Sequence, residues 1–303
     1  MKNFINFLSA FLVIGITIFL YRNPNQLEIL SEISVVTISI LLFIKFLTLL
    51  VNSYFNKELL TGFKLQISNT EAIYLGSLTF LGNFFLPLRS GGNFRMLYLN
   101  RKYKFKSPEL ASMYIYFFVI TIFLNSLIGL ICLIFLDTSR NIIFIISVLI
   151  FFIMFFISTF LILKQFRVSN LKNISPLISW VKNLKINWNI IINNKKLQIK
   201  LIFLIFINYL FFAIEAFIII DFLFSQKSLF TIFYYNSISV LSSLASVTPS
   251  SLGIKELIVL FSNDILSLTI NNVITLMIVE RAISILFSLI PGGIVLFARK
   301  NIA

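Results

Sequence analysis

Arg89, Arg95, Lys255, Glu256 and Arg281 lie inside or beside strongly apolar stretches, as do Glu215 and Glu280. An ionised side chain in hydrocarbon costs about 2.5–3.5 kcal/mol on insertion scales, so each is a functional candidate. Arg89 and Arg95 fall at one helix-breaking segment, "LPLRSGGNFR" (86–95), and Lys255 at another, "TPSSLGIKE" (248–256), which share the spacing Pro-x-x-x-Gly at Pro87–Gly91 and Pro249–Gly253, while Arg281 lies inside the last span. A helix that starts after such a break offers free N–H groups and the positive end of its dipole, which suits phosphate or carboxylate. Arg89, Gly91, Arg95, Pro249, Gly253, Lys255, Glu256 and Arg281 are therefore the candidate substrate-binding residues. Glu256 and Arg281 are expected to face one another. Glu215 and Glu280 are read as coupling groups or ion-pair partners, with Lys255 or Arg281 opposite Glu215. Lys45 and Asp221 lie nearer span ends and are read as reaching the interface.

Helices that cross a bilayer must position these groups. The chain has 303 residues, 59% hydrophobic and 12% charged, with a net charge of +14. That apolar share exceeds what a soluble core can absorb. Continuous runs such as "IIFIISVLIFFIMFFISTFLIL" (142–163) exclude a β-barrel, whose strands alternate apolar and polar. The fold class is all-α, a polytopic transmembrane helical bundle forming one integral membrane domain over 1–303. Spans are predicted at about 4–20, 33–51, 110–136, 141–163, 201–224 and 272–298.

Two further apolar stretches, 72–88 and 230–247, run into the breaks. As plain crossings they make eight spans. However, the basic segments 52–71 (Lys57, Lys64) and 89–109 (Arg89, Arg95, Arg101, Lys102, Lys104, Lys106) would then face opposite sides of the membrane, against the positive-inside tendency. A re-entrant hairpin over 72–98, opposed by a second over 230–268, keeps both basic segments and both termini cytoplasmic. Arg22 and Arg140 then lie in cation-poor outer loops, and Lys227 near the outer end of a span. Small and hydroxyl residues in both stretches would also suit tight helix packing.

The basic segment 164–200 is expected to be cytoplasmic or interfacial. Within it, "SPLISWVKNLKINWNIIINNKK" (175–196) reads as an amphipathic helix capped by Ser175. Leu177, Trp180, Val181, Leu184 and Trp188 share one face, with Lys182 and Lys185 opposite. Trp180, Lys182, Lys185 and Trp188 are read as membrane-surface residues; a helix closing the cytoplasmic end of the bundle is the other reading.

There is no histidine and a single cysteine, Cys132, so the commonest general base is missing and no disulfide framework exists. Neither a metal nor an organic cofactor is expected, and no catalytic residue is assigned. No phosphate-binding G-x-x-x-x-G-K-[ST] loop appears, so any transport is expected to be downhill or coupled to an ion. No nucleic-acid partner is expected.

The stretches "NFFLPLRSGGNFRMLYLNRKYKFKSPELA", "SVTPSSLGIKELIVLF" and "IVERAISILFSLIPGGIVLFARK" resemble the lysylphosphatidylglycerol synthase transmembrane region family, the bacterial flippase-like membrane proteins. Pro87, Arg89, Gly91 and Arg95 match its first motif, but Gly92 stands where a glutamate is expected. Pro249, Gly253, Lys255 and Glu256 match the second, and Arg281 the late arginine of the third. The resemblance implies a bacterial plasma-membrane protein of envelope biogenesis. It would bind and translocate an anionic phospholipid or a polyprenyl-phosphate-linked glycan. Alternatives are a non-transporting partner of an envelope glycosyltransferase and an intramembrane lipid-headgroup transferase. Full-length synthases add a soluble aminoacyl-transfer domain, which is not expected in a chain running to Ala303, so no enzyme activity is expected.

Overall fold

Apolar continuity, serine caps and the two prolines decide where helices run. The structure, a computed structural model, describes residues 32–136, 142–165, 176–224, 228–245 and 248–302. The expected first span at 4–20, Arg22, Arg140, Arg167, Lys172, Ser175 and Lys227 lie outside them. In chain order the helices are α1 (Val35–Gly62), α2 (Asn69–Phe85), α3 (Gly91–Tyr103), α4 (Ser107–Phe135), α5 (Ile142–Leu163) and α6 (Pro176–Asn193). They continue as α7 (Lys195–Phe224), α8 (Leu229–Leu244), a 3-10 turn (Pro249–Ser251), α9 (Ile254–Phe261), α10 (Asn263–Leu266) and α11 (Ile270–Ile302). No strand occurs among the described residues.

Ser34, Ser68 and Ser228 each accept a hydrogen bond from the backbone N–H three residues on, at 3.0, 3.1 and 3.1 Å, and so start α1, α2 and α8. Helices α1, α4, α5, α7 and α11 are long and apolar enough to cross a membrane. Their outer faces are oily: Ile142, Ile153 and Phe160 on α5, Ile199 and Phe203 on α7, and Leu289 on α11 are all exposed. In water such a surface would aggregate; against lipid it is the ordinary solvent-facing side. The protein is an all-α polytopic helical bundle and a multi-pass membrane protein.

The buried residues form two clusters at opposite ends. One joins Leu59 and Leu60 of α1, Leu99 of α3, Leu110 of α4, Ile191 of α6 and Leu201 of α7. The other joins Leu41 of α1, Leu133 of α4, Ile219 of α7, Tyr235 of α8, Val259 of α9 and Leu276 of α11. Helices α2 and α3 form a hairpin rooted in the first cluster, and α8 and α9 a hairpin rooted in the second. With 17, 13 and 16 residues, α2, α3 and α8 extend about 25, 20 and 24 Å, short of a ~30 Å hydrocarbon layer. The first hairpin closes backbone to backbone. A Cβ on Gly91 would sit 2.0 Å from the Thr79 carbonyl oxygen, and one on Gly82 2.4 Å from the Gly91 Cα.

Lys57 donates to Asn69 Oδ1 at 2.6 Å, and Lys200 pairs with Glu58 at 2.8 Å. Glu71, itself buried, accepts from Tyr98 at 2.8 Å and Tyr103 at 2.8 Å and lies 3.3 Å from Lys102. The basic segments on either side of the first hairpin therefore sit at one end of the bundle.

The structure corrects the reading of Trp188 as a membrane-surface residue. Trp188 is only 1% exposed, packs edge-on to Tyr116 at 5.8 Å and donates its indole N–H to the Lys164 carbonyl at 3.3 Å. Ile191 and Ile192 are buried beside it, so the C-terminal half of α6 plugs the bundle end. The amphipathic stripe meets protein only toward its C-terminal end at Trp188, while Leu177, Trp180 and Val181 stay exposed. Trp180 is 37% exposed and reaches Ser107 Oγ at 3.3 Å, while Lys182 and Lys185 are half-buried. Replacing Trp188 with Ala should therefore cost about 3–5 kcal/mol of stability. The same change at Trp180 should cost about 1 kcal/mol, the size of one hydrogen bond. Thermal unfolding of both variants in detergent checks the contrast.

Candidate functional site

The two breaks begin alike. After Pro87, Leu88 and Arg89 take left-handed backbone angles (φ 55° and 48°); after Pro249, Ser250 and Ser251 do the same (φ 49° and 57°). Consecutive non-glycine residues in this region each cost roughly 1–2 kcal/mol, so neighbouring contacts must hold them there. The second break then uses Gly253 at φ 86° before α9 begins.

One carbonyl joins the two tips. Ser243 lies in the last turn of α8, where backbone oxygens have no partner within the helix. Its oxygen accepts from Arg89 Nη2 at 2.6 Å and from Ser251 Oγ at 3.0 Å. Arg89 also lies over the Phe118 ring at 5.1 Å. Hairpins rooted at opposite ends thus meet inside the bundle through the arginine of one and the freed backbone of the other.

The second hairpin is pinned to α11 by two crossed ion pairs. Lys255 bonds Glu280, and Arg281 bonds Glu256 through Nε at 3.0 Å and Nη2 at 2.7 Å. A Lys-Glu dipeptide on α9 is thereby matched by a Glu-Arg dipeptide on α11. Arg281 Nη1 further donates to the Ser250 carbonyl at 2.8 Å and to Ser250 Oγ at 2.6 Å, gripping a left-handed residue directly. Glu256 is used twice: Oε1 takes the arginine, while Oε2 accepts the Gly253 N–H at 2.7 Å. Tyr235 donates to the other oxygen of Glu280 at 2.7 Å.

The expected Glu256–Arg281 pair is present. Glu215 pairs instead with Lys45 at 2.6 Å, with both side chains buried. Lys45 therefore points into the bundle rather than to the interface, because the α1–α7 contact offers it a carboxylate closer than water. The expectation of free helix N-termini is also corrected. The Gly91 N–H goes to Asn83 Oδ1 at 3.1 Å, that of Gly92 to the Arg89 carbonyl at 3.2 Å and that of Asn93 to Ser90 at 2.9 Å. At α9 the N–H of the capping Gly253 is occupied by Glu256.

Between the hairpins lies a cavity of about 860 Å³, lined by Lys45, Arg89, Arg95, Lys255 and Arg281 against Glu215 and Glu280. That volume lies in the range of small-molecule sites, and the cation excess gives it a positive bias. Arg95 is 2% exposed and lies over the Tyr114 ring at 4.5 Å. Gly92 accommodates that ring: a Cβ there would sit 2.4 Å from the Tyr114 hydroxyl oxygen. Where the resemblance expects a glutamate, this chain has an aromatic neighbour instead. Tyr114, Phe118, Tyr235 and Ser243 were missed from sequence. The available signal was the four-residue spacing of Tyr114 and Phe118, which puts both on one face of α4.

The architecture and the cavity define a multi-pass helical membrane protein with a polar centre between two opposed helical hairpins. Residues 6–292 match the family model for the lysylphosphatidylglycerol synthase transmembrane region, and the chain belongs to that family. No curated protein and no solved structure matches it.

If the crossed pairs hold the second hairpin, breaking one alone strands a buried charge. Lys255→Met or Glu280→Met should each destabilise by about 3–5 kcal/mol, whereas the double substitution should recover a large part of that loss. A double-mutant cycle by thermal unfolding measures it.

Proposed function

We propose that this protein binds the phosphate-bearing headgroup of an anionic lipid in its central cavity and carries it between the leaflets of a bacterial plasma membrane. The observation that supports this reading is the meeting of the two hairpin tips at a positively biased cavity inside a bundle coated with apolar side chains. A headgroup in such a cavity exchanges water for fixed polar groups while its chains stay in lipid. Phospholipids and polyprenyl-phosphate-linked glycans both have this chemistry.

Under this reading the hairpins are re-entrant, entering from opposite faces. The end carrying Lys57, Lys102, Lys104, Lys196 and Lys200 faces the cytoplasm, as the positive-inside tendency favours. The protein acts without catalysis: Glu215, Glu256 and Glu280 are each tied to a cation and serve as ion-pair partners. Movement requires the Arg89–Ser243 link to open and the two strained breaks to relax in turn, giving alternating access around a fixed site.

Ala111 lines the cavity without taking part in any ion pair. Ala111→Trp should fill the headgroup space, remove co-purifying lipid from the native mass spectrum and slow leaflet exchange of a fluorescent anionic phospholipid in proteoliposomes by more than about tenfold. Wild-type exchange and lipid retention by a folded variant would overturn the reading.

A further inference from the structure

Arg95 is treated differently from three of the other cavity cations. Lys45, Lys255 and Arg281 each rest against a carboxylate. Arg95 is as buried as any of them, yet no carboxylate pairs with it among the described residues, and its Nε has no hydrogen-bond partner. A guanidinium does not shed its proton to escape this situation.

The ring that covers it has the same deficiency. The Tyr114 hydroxyl is buried and also lacks a partner. Two hydrogen-bond donors therefore lie side by side on the cavity wall with no acceptor between them. Buried polar groups in folded proteins are almost always satisfied, so an unsatisfied pair at the edge of an internal cavity points to a site suited to acceptor oxygens. The backbone offers no competing site, because the Gly91, Gly92 and Asn93 amides are already engaged. Phe118 lies four residues from Tyr114, one turn of α4 and a rise of about 6 Å, so the two arginines stacked on these rings share one wall.

We propose that Arg95 and Tyr114 form a phosphate subsite, in which the Arg95 guanidinium and the Tyr114 hydroxyl both donate to the oxygens of a phosphoryl group. Of the remaining cavity cations, Lys45, Lys255 and Arg281 contribute little net charge because carboxylates neutralise them, and Arg89 is engaged by the Ser243 carbonyl. The phosphate thus sits at the α3–α4 wall rather than centrally. The phosphoryl group belongs to a lipid phosphoester or to free phosphate. The lipid case rests on the function proposed above; the subsite itself does not.

The test uses the purified full-length protein in lipid-free detergent, titrated with dihexanoyl phosphatidylglycerol and separately with inorganic phosphate, reading the rise in unfolding temperature. Tyr114→Phe deletes one donor at constant shape and should weaken binding about tenfold. Arg95→Met should abolish saturation, and the exposed Lys196→Met should bind like wild type. Without ligand, Arg95→Met should unfold no earlier than wild type, since it breaks no ion pair. Should Arg95→Met fail to fold, Tyr114→Phe decides alone. Saturable lipid binding by wild type that neither substitution weakens overturns the subsite and leaves the lipid reading standing. Binding of inorganic phosphate but not lipid, weakened in Tyr114→Phe and lost in Arg95→Met, supports the subsite and overturns the lipid reading. Saturation by neither probe overturns the subsite.

Discussion

A charge inside an apolar bundle persists only while something compensates it, and the crossed pairing of Lys255 and Glu256 with Glu280 and Arg281 turns that requirement into architecture. The pairs fix α9 against α11. That contact brings Arg281 onto Ser250, holding the left-handed residues of the second break in place. The break in turn sets Ser251 against the Ser243 carbonyl, which also receives Arg89 from the other hairpin. Without the ladder, neither the second tip nor the junction between tips would have a defined position.

The junction is economical in groups and weak in energy. A few hydrogen bonds, one to a guanidinium, hold together two backbones that each store strain, so the contact is suited to opening as well as closing. The two hairpins are alike in their proline-led left-handed pairs but unlike in anchoring. The first relies on backbone contact between Gly82 and Gly91 and on Glu71 with its tyrosines. The second relies on charge.

Much of this was legible in the sequence because membrane solvation leaves few options. Uninterrupted apolar runs had to be helices, and Pro-x-x-x-Gly twice had to break them. Glu256 and Arg281 were paired correctly because a carboxylate at the second break and an arginine inside the last span each need a partner in apolar surroundings. What was not legible depends on which neighbour arrives first. Lys45 looked able to reach the interface, but α7 delivers Glu215 to it. Trp188 had the pattern of a lipid-facing residue, and only the fold reveals that Tyr116 covers it. The amides at both breaks were expected to be free, yet Asn83 takes that of Gly91 and Glu256 that of Gly253.

The central claim is that two hairpins from opposite ends of the bundle touch at their tips, and spin labels at Leu88 and Leu244 test it most directly. Both positions line the cavity beside the Arg89–Ser243 bond. In liposomes, continuous-wave electron paramagnetic resonance should show strong dipolar broadening between the two labels, absent when either is present alone. Unbroadened spectra from a folded, doubly labelled protein would place the tips apart and contradict the account.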